Sequence, residues 1–72
     1  MKRYRVLKLV VLGFLTPRDQ FDAFIAPEDG VTLECDGHTI WTNKDGKRRE
    51  SITVASAIEY WLDQGLIVEI PE

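Results

Sequence analysis

The chain has 72 residues, nine of them Lys or Arg and twelve Asp or Glu, for a formal net charge of -3. With 44% apolar and 29% charged residues it is neither a disordered tail nor a membrane-embedded chain, and its length limits it to one small domain with little room for a buried active site. A single cysteine, Cys35, excludes an internal disulfide and any multi-cysteine zinc site, and the lone thiol suits a reducing cytoplasm.

The basic start Met1 to Arg5, followed by the apolar run Val6 to Leu15, has the outline of a secretion signal. Lys8 interrupts the run, no small-x-small cleavage site follows, and the run is too short to span a bilayer, so a buried strand is the better reading and no membrane association is expected. Val6 to Leu12, β-branched and leucine-rich, predicts a strand covered on both faces and therefore central in a sheet. Gly13 then permits a bend.

Thr16-Pro17-Arg18-Asp19 carries a helix-start signature, and Phe21, Phe24 and Ile25 follow at helical spacing up to the stop at Pro27. A short helix over residues 17–25 is favoured over an edge strand, the alternative for the same segment. Pro27 to Gly30 reads as a turn, and Val31 to Cys35 alternates as a half-buried strand. Asp36-Gly37 predicts a two-residue hairpin turn, which sets Cys35 opposite His38, Leu33 opposite Ile40 and Val31 opposite Thr42. Glu34 and Trp41 then share the other face.

Asn43 to Gly46 is a second turn signal, and Lys47 to Ser51 is polar enough for a guarded edge strand. A main helix is expected at about residues 54–64, capped by Thr53 or Ser56 with Thr53 preferred, with Val54, Ile58, Trp61 and Leu62 on its buried stripe and Gly65 ending it in a left-handed conformation. Leu66 to Ile70 is a final strand before Pro71. The order predicts one compact α+β domain over residues 1–72, with a mostly antiparallel sheet of three to five strands.

Charge is segregated along the chain. Residues 1–18 hold five bases and no acid, residues 19–43 six acids and no base, residues 44–49 a net +3, and residues 50–72 five acids and no base. Such blocks either neutralise one another across the sheet or form docking points that steer a partner. The candidate partner-binding residues are Lys2, Arg3, Tyr4 and Arg5 near the N-terminus and Lys44, Lys47, Arg48 and Arg49 in the second turn, with a frayed terminus and a solvated edge as the plain alternatives.

Catalytic chemistry is thin. Cys35 and His38 across a hairpin lack a third group and an oxyanion site. One His, one Cys and scattered acids do not make a zinc site, the Asp-Gly pairs are turn chemistry, and Asp19 and Asp22 fit an exposed helix face better than an acid–base pair. No phosphate loop or nucleophile elbow occurs, so no enzyme activity and no cofactor or metal is expected. Nucleic-acid binding is the stronger rival, because Trp41 lies beside Lys44, Lys47, Arg48 and Arg49, although the acidic balance opposes it.

From MKRYRVLKLVVLGFLTPRDQFDAF to AIEYWLDQGLIVEI, the chain resembles the small RNA-polymerase-binding regulators of Xanthomonas lytic phages in length, in the basic MKRYR start and in its α+β layout. The resemblance implies a protein of the infected cell's cytoplasm that binds the β and β′ subunits of bacterial RNA polymerase near the RNA exit channel. It further implies inhibition of host transcription initiation and, with the elongation factor NusA, readthrough of intrinsic terminators; whether the basic turn touches polymerase or the emerging RNA within the complex is left open by the sequence. In such a role Lys2, Arg3 and Arg5 pair with acidic polymerase surface, Tyr4 is a partly apolar anchor, and the basic turn adds contacts. A nucleic-acid-binding domain and an inhibitor of another host protein are the alternatives.

Overall fold

A computed structural model describes residues 1–71. Seven strands, one helix and one short 3-10 turn follow in the order β1 (Lys2–Val6), β2 (Val10–Leu15), β3 (Gln20–Ile25), the 3-10 turn (Pro27–Asp29), β4 (Thr32–Cys35), β5 (Thr39–Lys44), β6 (Lys47–Val54), α1 (Ala57–Asp63) and β7 (Ile67–Glu69). All pairings are antiparallel: a five-stranded sheet ordered β6-β5-β4-β1-β7 and a two-stranded hairpin β2-β3. The domain is α+β, as the sequence predicts, with the hairpin as a second sheet beside the expected one.

The apolar run from Val6 to Leu12 is not one strand. β1 ends at Val6, Leu7 and Lys8 both donate their N–H to the carbonyl of Leu66, and the chain leaves the main sheet before β2 begins. Leu7, Lys8 and Leu9 are exposed at this step while Val6 and Val10 on either side are buried. The strand internal to the main sheet, between β4 and β7, is β1, which shares only Val6 with the predicted run; Val10 to Leu12 belong to the separate two-stranded hairpin.

Residues 17–25 are not helical. The residues that suggested a helix start make a β-turn: the Thr16 hydroxyl accepts the N–H of Asp19 at 2.9 Å and of Arg18 at 3.3 Å, and the Thr16 N–H donates to the Asp19 carbonyl at 2.7 Å. The same side-chain cap serves either conformation, and pairing with β2 decides it. Phe21 stacks on Phe14 with ring centroids 5.6 Å apart, while Phe24, an odd number of residues further along the strand, points outward.

The first hairpin of the main sheet turns over four residues, not two, so Cys35 faces Ile40 and Leu33 faces Thr42. Asp36 causes this, because its Oδ1 accepts the N–H of both His38 and Thr39 at 2.8 Å and holds the wider loop. The two-residue register shift leaves every side chain on its expected face, which is why Leu33 and Ile40 are still fully buried. At the second hairpin Asp45 (φ 54°) and Gly46 (φ 81°) form the tight turn and set Lys44 opposite Lys47.

β6 runs on to Val54, which shortens the helix to Ala57–Asp63. Thr53 therefore does not cap it. The Thr53 hydroxyl instead accepts the N–H of Gly13 at 2.8 Å, and Ser51 Oγ donates to the Gly13 carbonyl at 2.7 Å. Both main-chain groups of Gly13 are thus satisfied by hydroxyls of β6, which join the hairpin to the main sheet without a backbone ladder. Ile58 and Trp61 carry the buried stripe of α1, whereas Val54 and Leu62 remain exposed. Gly65, at φ 70°, ends the helix as expected. One core lies between the inner faces of hairpin and sheet, with Leu12, Leu33 and Ile40 wholly buried.

Candidate interaction surface

The antiparallel register places side chains in rows across the outer face of the main sheet. One row runs Arg3, Glu34, Trp41, Glu50 on β1, β4, β5 and β6, and the next runs Arg5, Thr32, Asn43, Arg48. Arg5 and Arg48, 43 residues apart in sequence, therefore lie in one row about 14 Å apart, three strand spacings. β1 is an internal strand, so Arg3 and Arg5 are not on a frayed end: the backbone holds them in place and both side chains are exposed.

Arg48 is committed within this face. Its Nε lies 2.9 Å from Glu34 Oε1, its Cζ sits 4.8 Å from the Trp41 ring centre, and its terminal nitrogen is 3.4 Å from Met1 Sδ. The Asn43 amide donates to the second Glu34 oxygen at 2.8 Å. Glu34 is buried on the solvent side of the sheet because this cluster roofs it over. Among the described residues Arg48–Glu34 is the one ion pair within 4.0 Å. Among the described residues the charged blocks of the sequence do not neutralise one another pairwise.

The basic turn separates. Arg49 alternates to the opposite face, where its Cζ lies 5.0 Å from the ring centres of both Phe14 and Phe21 and covers the stacked pair. Lys44 and Lys47 face each other at the exposed hairpin tip. Residues 44–49 thus form no single basic finger.

Tyr4 is not an exposed anchor. It is buried, because alternation along β1 turns it inward between the two arginines. With Lys2, Cys35, Ser56, Glu59 and Glu69 it borders an open cleft of about 620 Å³ beside α1. Burial raises the Tyr4 phenol above its ordinary pKa, and the charges of Glu69 and Cys35 add to the rise.

Cys35 and His38 do not meet. Cys35 is buried opposite Ile40 and its Sγ accepts the Gly37 N–H at 3.4 Å. Asp19 lies in the β2–β3 turn and Asp22 on the exposed face of β3, not on a helix. Among the described residues no group of three or more His, Cys, Asp or Glu side chains converges on a metal position, and no helix is long and apolar enough to cross a membrane. Comparison with known protein families, curated proteins and solved structures finds no match to this chain.

The role of Glu34 is the main feature missed in the sequence. Its signal is an acid in a strand position facing Trp41, with Arg48 one turn away; only the pairing register turns that into a buried ion pair.

Proposed function

We propose that this protein is a non-enzymatic transcription regulator that docks on bacterial RNA polymerase in the cytoplasm of an infected cell. The observation that carries the reading is the display of Arg3 and Arg5 at alternate, outward positions of an internal strand, without an ion-pair partner among the described residues. Cations carried by a backbone already ordered in a sheet add only side-chain ordering to the cost of binding and complement an acidic protein surface. The resemblance of the MKRYR start and the α+β layout to the small polymerase-binding regulators of Xanthomonas phages supplies the partner: the β and β′ subunits near the RNA exit channel.

A rigid body about 36 Å in its longest dimension, seated at a channel mouth, takes up the space in which a terminator hairpin folds. It also disfavours the initiation factor's hold on the core enzyme, and NusA assists the readthrough. No bond is made or broken. Immobilised chain incubated with purified core RNA polymerase tests the reading: retention that weakens with salt is expected, and no retention even at low salt removes it.

RNA binding is the second reading, favoured by Arg5 and Arg48 in the row beside Trp41. It is weaker, because the Arg48 guanidinium already lies over that ring and a base has to displace it.

A further inference from the structure

We propose that the open edge of β3 is a second docking site, which takes a short extended segment of a partner protein with a Lys or Arg facing Asp22 and an apolar side chain against Phe24. Among the described residues β3 pairs with β2 alone. The Thr16 N–H to Asp19 carbonyl bond fixes the phase of that ladder. In an antiparallel pair the bonded positions alternate, so Phe21, Ala23 and Ile25 turn their main-chain groups to β2, and Gln20, Asp22 and Phe24 turn theirs away.

The chain caps both ends of this outer edge itself. Asp19 Oδ1 accepts the N–H of Gln20 at 2.7 Å, and Asp29 Oδ2 accepts that of Ala26 at 2.8 Å. Between these caps the amides of Asp22 and Phe24 have no protein acceptor among the described residues. Exposed edges are usually blunted by charged side chains, above all Lys, by Pro or by a bulge. This edge carries one charge, Asp22, which repels acidic strands and not basic ones. Residues 20–25 contain no Lys or Pro, and the β2–β3 register is unbroken.

The occupant follows from charge and apolarity. Phe24 is 67% exposed beside its cross-strand partner Val11, at 40%. Asp19, Asp22, Glu28 and Asp29 line the same segment without an ion-pair partner among the described residues, in a stretch with no base from residue 19 to residue 43. Asp22 and Phe24 share one face, so a strand with a basic and an apolar residue two positions apart extends the hairpin by main-chain bonds and matches this face by side chain. A second copy of β3 brings the same acids to the edge and fits less well.

The test uses the full chain, labelled with ¹⁵N, and three synthetic hexapeptides: a Lys/Val peptide, Thr-Val-Thr-Lys-Thr-Val, which sets Lys and Val two apart on one face, a Glu/Val peptide with Glu in place of that Lys, and the Lys/Val sequence with Pro in place of its central Thr. The Lys/Val peptide is expected to shift the amides of residues 20–26 and to slow hydrogen exchange at Asp22 and Phe24, with the other two at least about tenfold weaker. Asp22→Lys, on an exposed position, is expected to reverse the preference toward the Glu/Val peptide. Phe24→Pro removes an outward N–H without touching the β2 ladder, so it should bind more weakly than Phe24→Ala; dispersed spectra of both variants check the fold. Equal binding of all three peptides, shifts confined to the outer face of the main sheet, or self-association that protects the β3 edge without peptide would each overturn the proposal.

Discussion

Glu34 and Arg48 are joined diagonally across β5: the register sets Glu34 opposite Trp41 and Arg48 opposite Asn43, yet Arg48 Nε reaches Glu34 Oε1 at 2.9 Å by lying over the indole. The two ends of the pair differ, with side chains 43% exposed for Arg48 and 9% for Glu34. Removing Arg48 strands a covered carboxylate, whereas removing Glu34 leaves a guanidinium that water can reach. Arg48→Ala is therefore expected to cost about 1–3 kcal/mol. Adding Glu34→Gln should recover part of the loss, because the stranded charge goes with it. Urea denaturation of the single and double variants checks this, and a double variant less stable than Arg48→Ala contradicts it.

The attachment of the β2–β3 hairpin to β6 rests on two hydroxyls. Ser51 is buried, donates to the Gly13 carbonyl at 2.7 Å and accepts the N–H of Thr53 at 3.1 Å. Ser51→Ala leaves a main-chain carbonyl at a partly buried position without its donor, for an expected loss of about 1–3 kcal/mol. The loss should be local as well as global, with faster hydrogen exchange at Gly13 than the drop in overall stability explains. Unchanged exchange at Gly13 would show that the hairpin is held by its apolar face alone.

Alternation and turn chemistry made most of this fold legible. The Asp45-Gly46 hairpin, the burial of Leu33 and Ile40, and the glycine end of α1 follow from local rules, since each depends on residues adjacent in sequence. The exceptions are positions where one residue type serves two geometries. Thr16, Pro17 and Asp19 suit the first turn of a helix and also a hairpin turn, and Thr53 suits a helix cap and also a bridge to Gly13. In each case a strand contact decides, the β2–β3 ladder for the first and the distant Gly13 for the second, and helical spacing alone does not carry it. The candidate surface was half legible. Alternation along β1 separates Arg3 and Arg5 from Tyr4, but the union of Arg5 with Arg48 needs the β1-β4-β5-β6 order. The same alternation, carried through Arg48 and Arg49, splits the basic turn between two faces.

Tyr4 makes stability sensitive to alkali. Burial, helped by Glu69 and Cys35, raises its folded pKa above the ordinary 10.0. The folded state then holds the phenol proton in a range where the unfolded chain releases it. This contribution is complete below pH 10.0 and is lost as pH rises from there through the folded value. No covered side-chain oxygen lacks a partner among the described residues, so the phenol keeps its contact with the cleft and Tyr4→Phe should be well tolerated at neutral pH. The variant is expected to lose stability less steeply than the parent above pH 10.0. Parallel melting curves of the two proteins against pH would refute this assignment.

At the acid end Asp36 acts with the opposite sign. Main-chain N–H groups of Thr39 and His38 hold its carboxyl below the ordinary 3.8. The stabilisation is present above that value and disappears as pH falls through the lower folded one. Asp36→Asn keeps an acceptor for the turn but cannot titrate, so it should flatten this part of the acid unfolding curve. The carboxyl resonance of Asp36 followed by NMR gives the folded value directly, and a midpoint at or above 3.8 would contradict the turn geometry.

The outward arginines of β1 carry the binding prediction, and the register decides which substitution tests it. Arg3 stands opposite Glu34, so Arg3→Glu sets like charges across two strands and mixes a stability loss into the result. Arg3→Gln with Arg5→Gln removes both charges without that conflict, and should leave the melting temperature nearly unchanged because both side chains face solvent without an ion-pair partner among the described residues. At about 0.5–1 kcal/mol for each rim charge, affinity for core RNA polymerase should fall about five- to thirtyfold, and its dependence on salt should weaken with it. Lys44→Gln with Lys47→Gln, at the hairpin tip, is the matched control of equal charge. If the tip pair lowers affinity and the β1 pair does not, the docking surface is the end of the sheet and not its face.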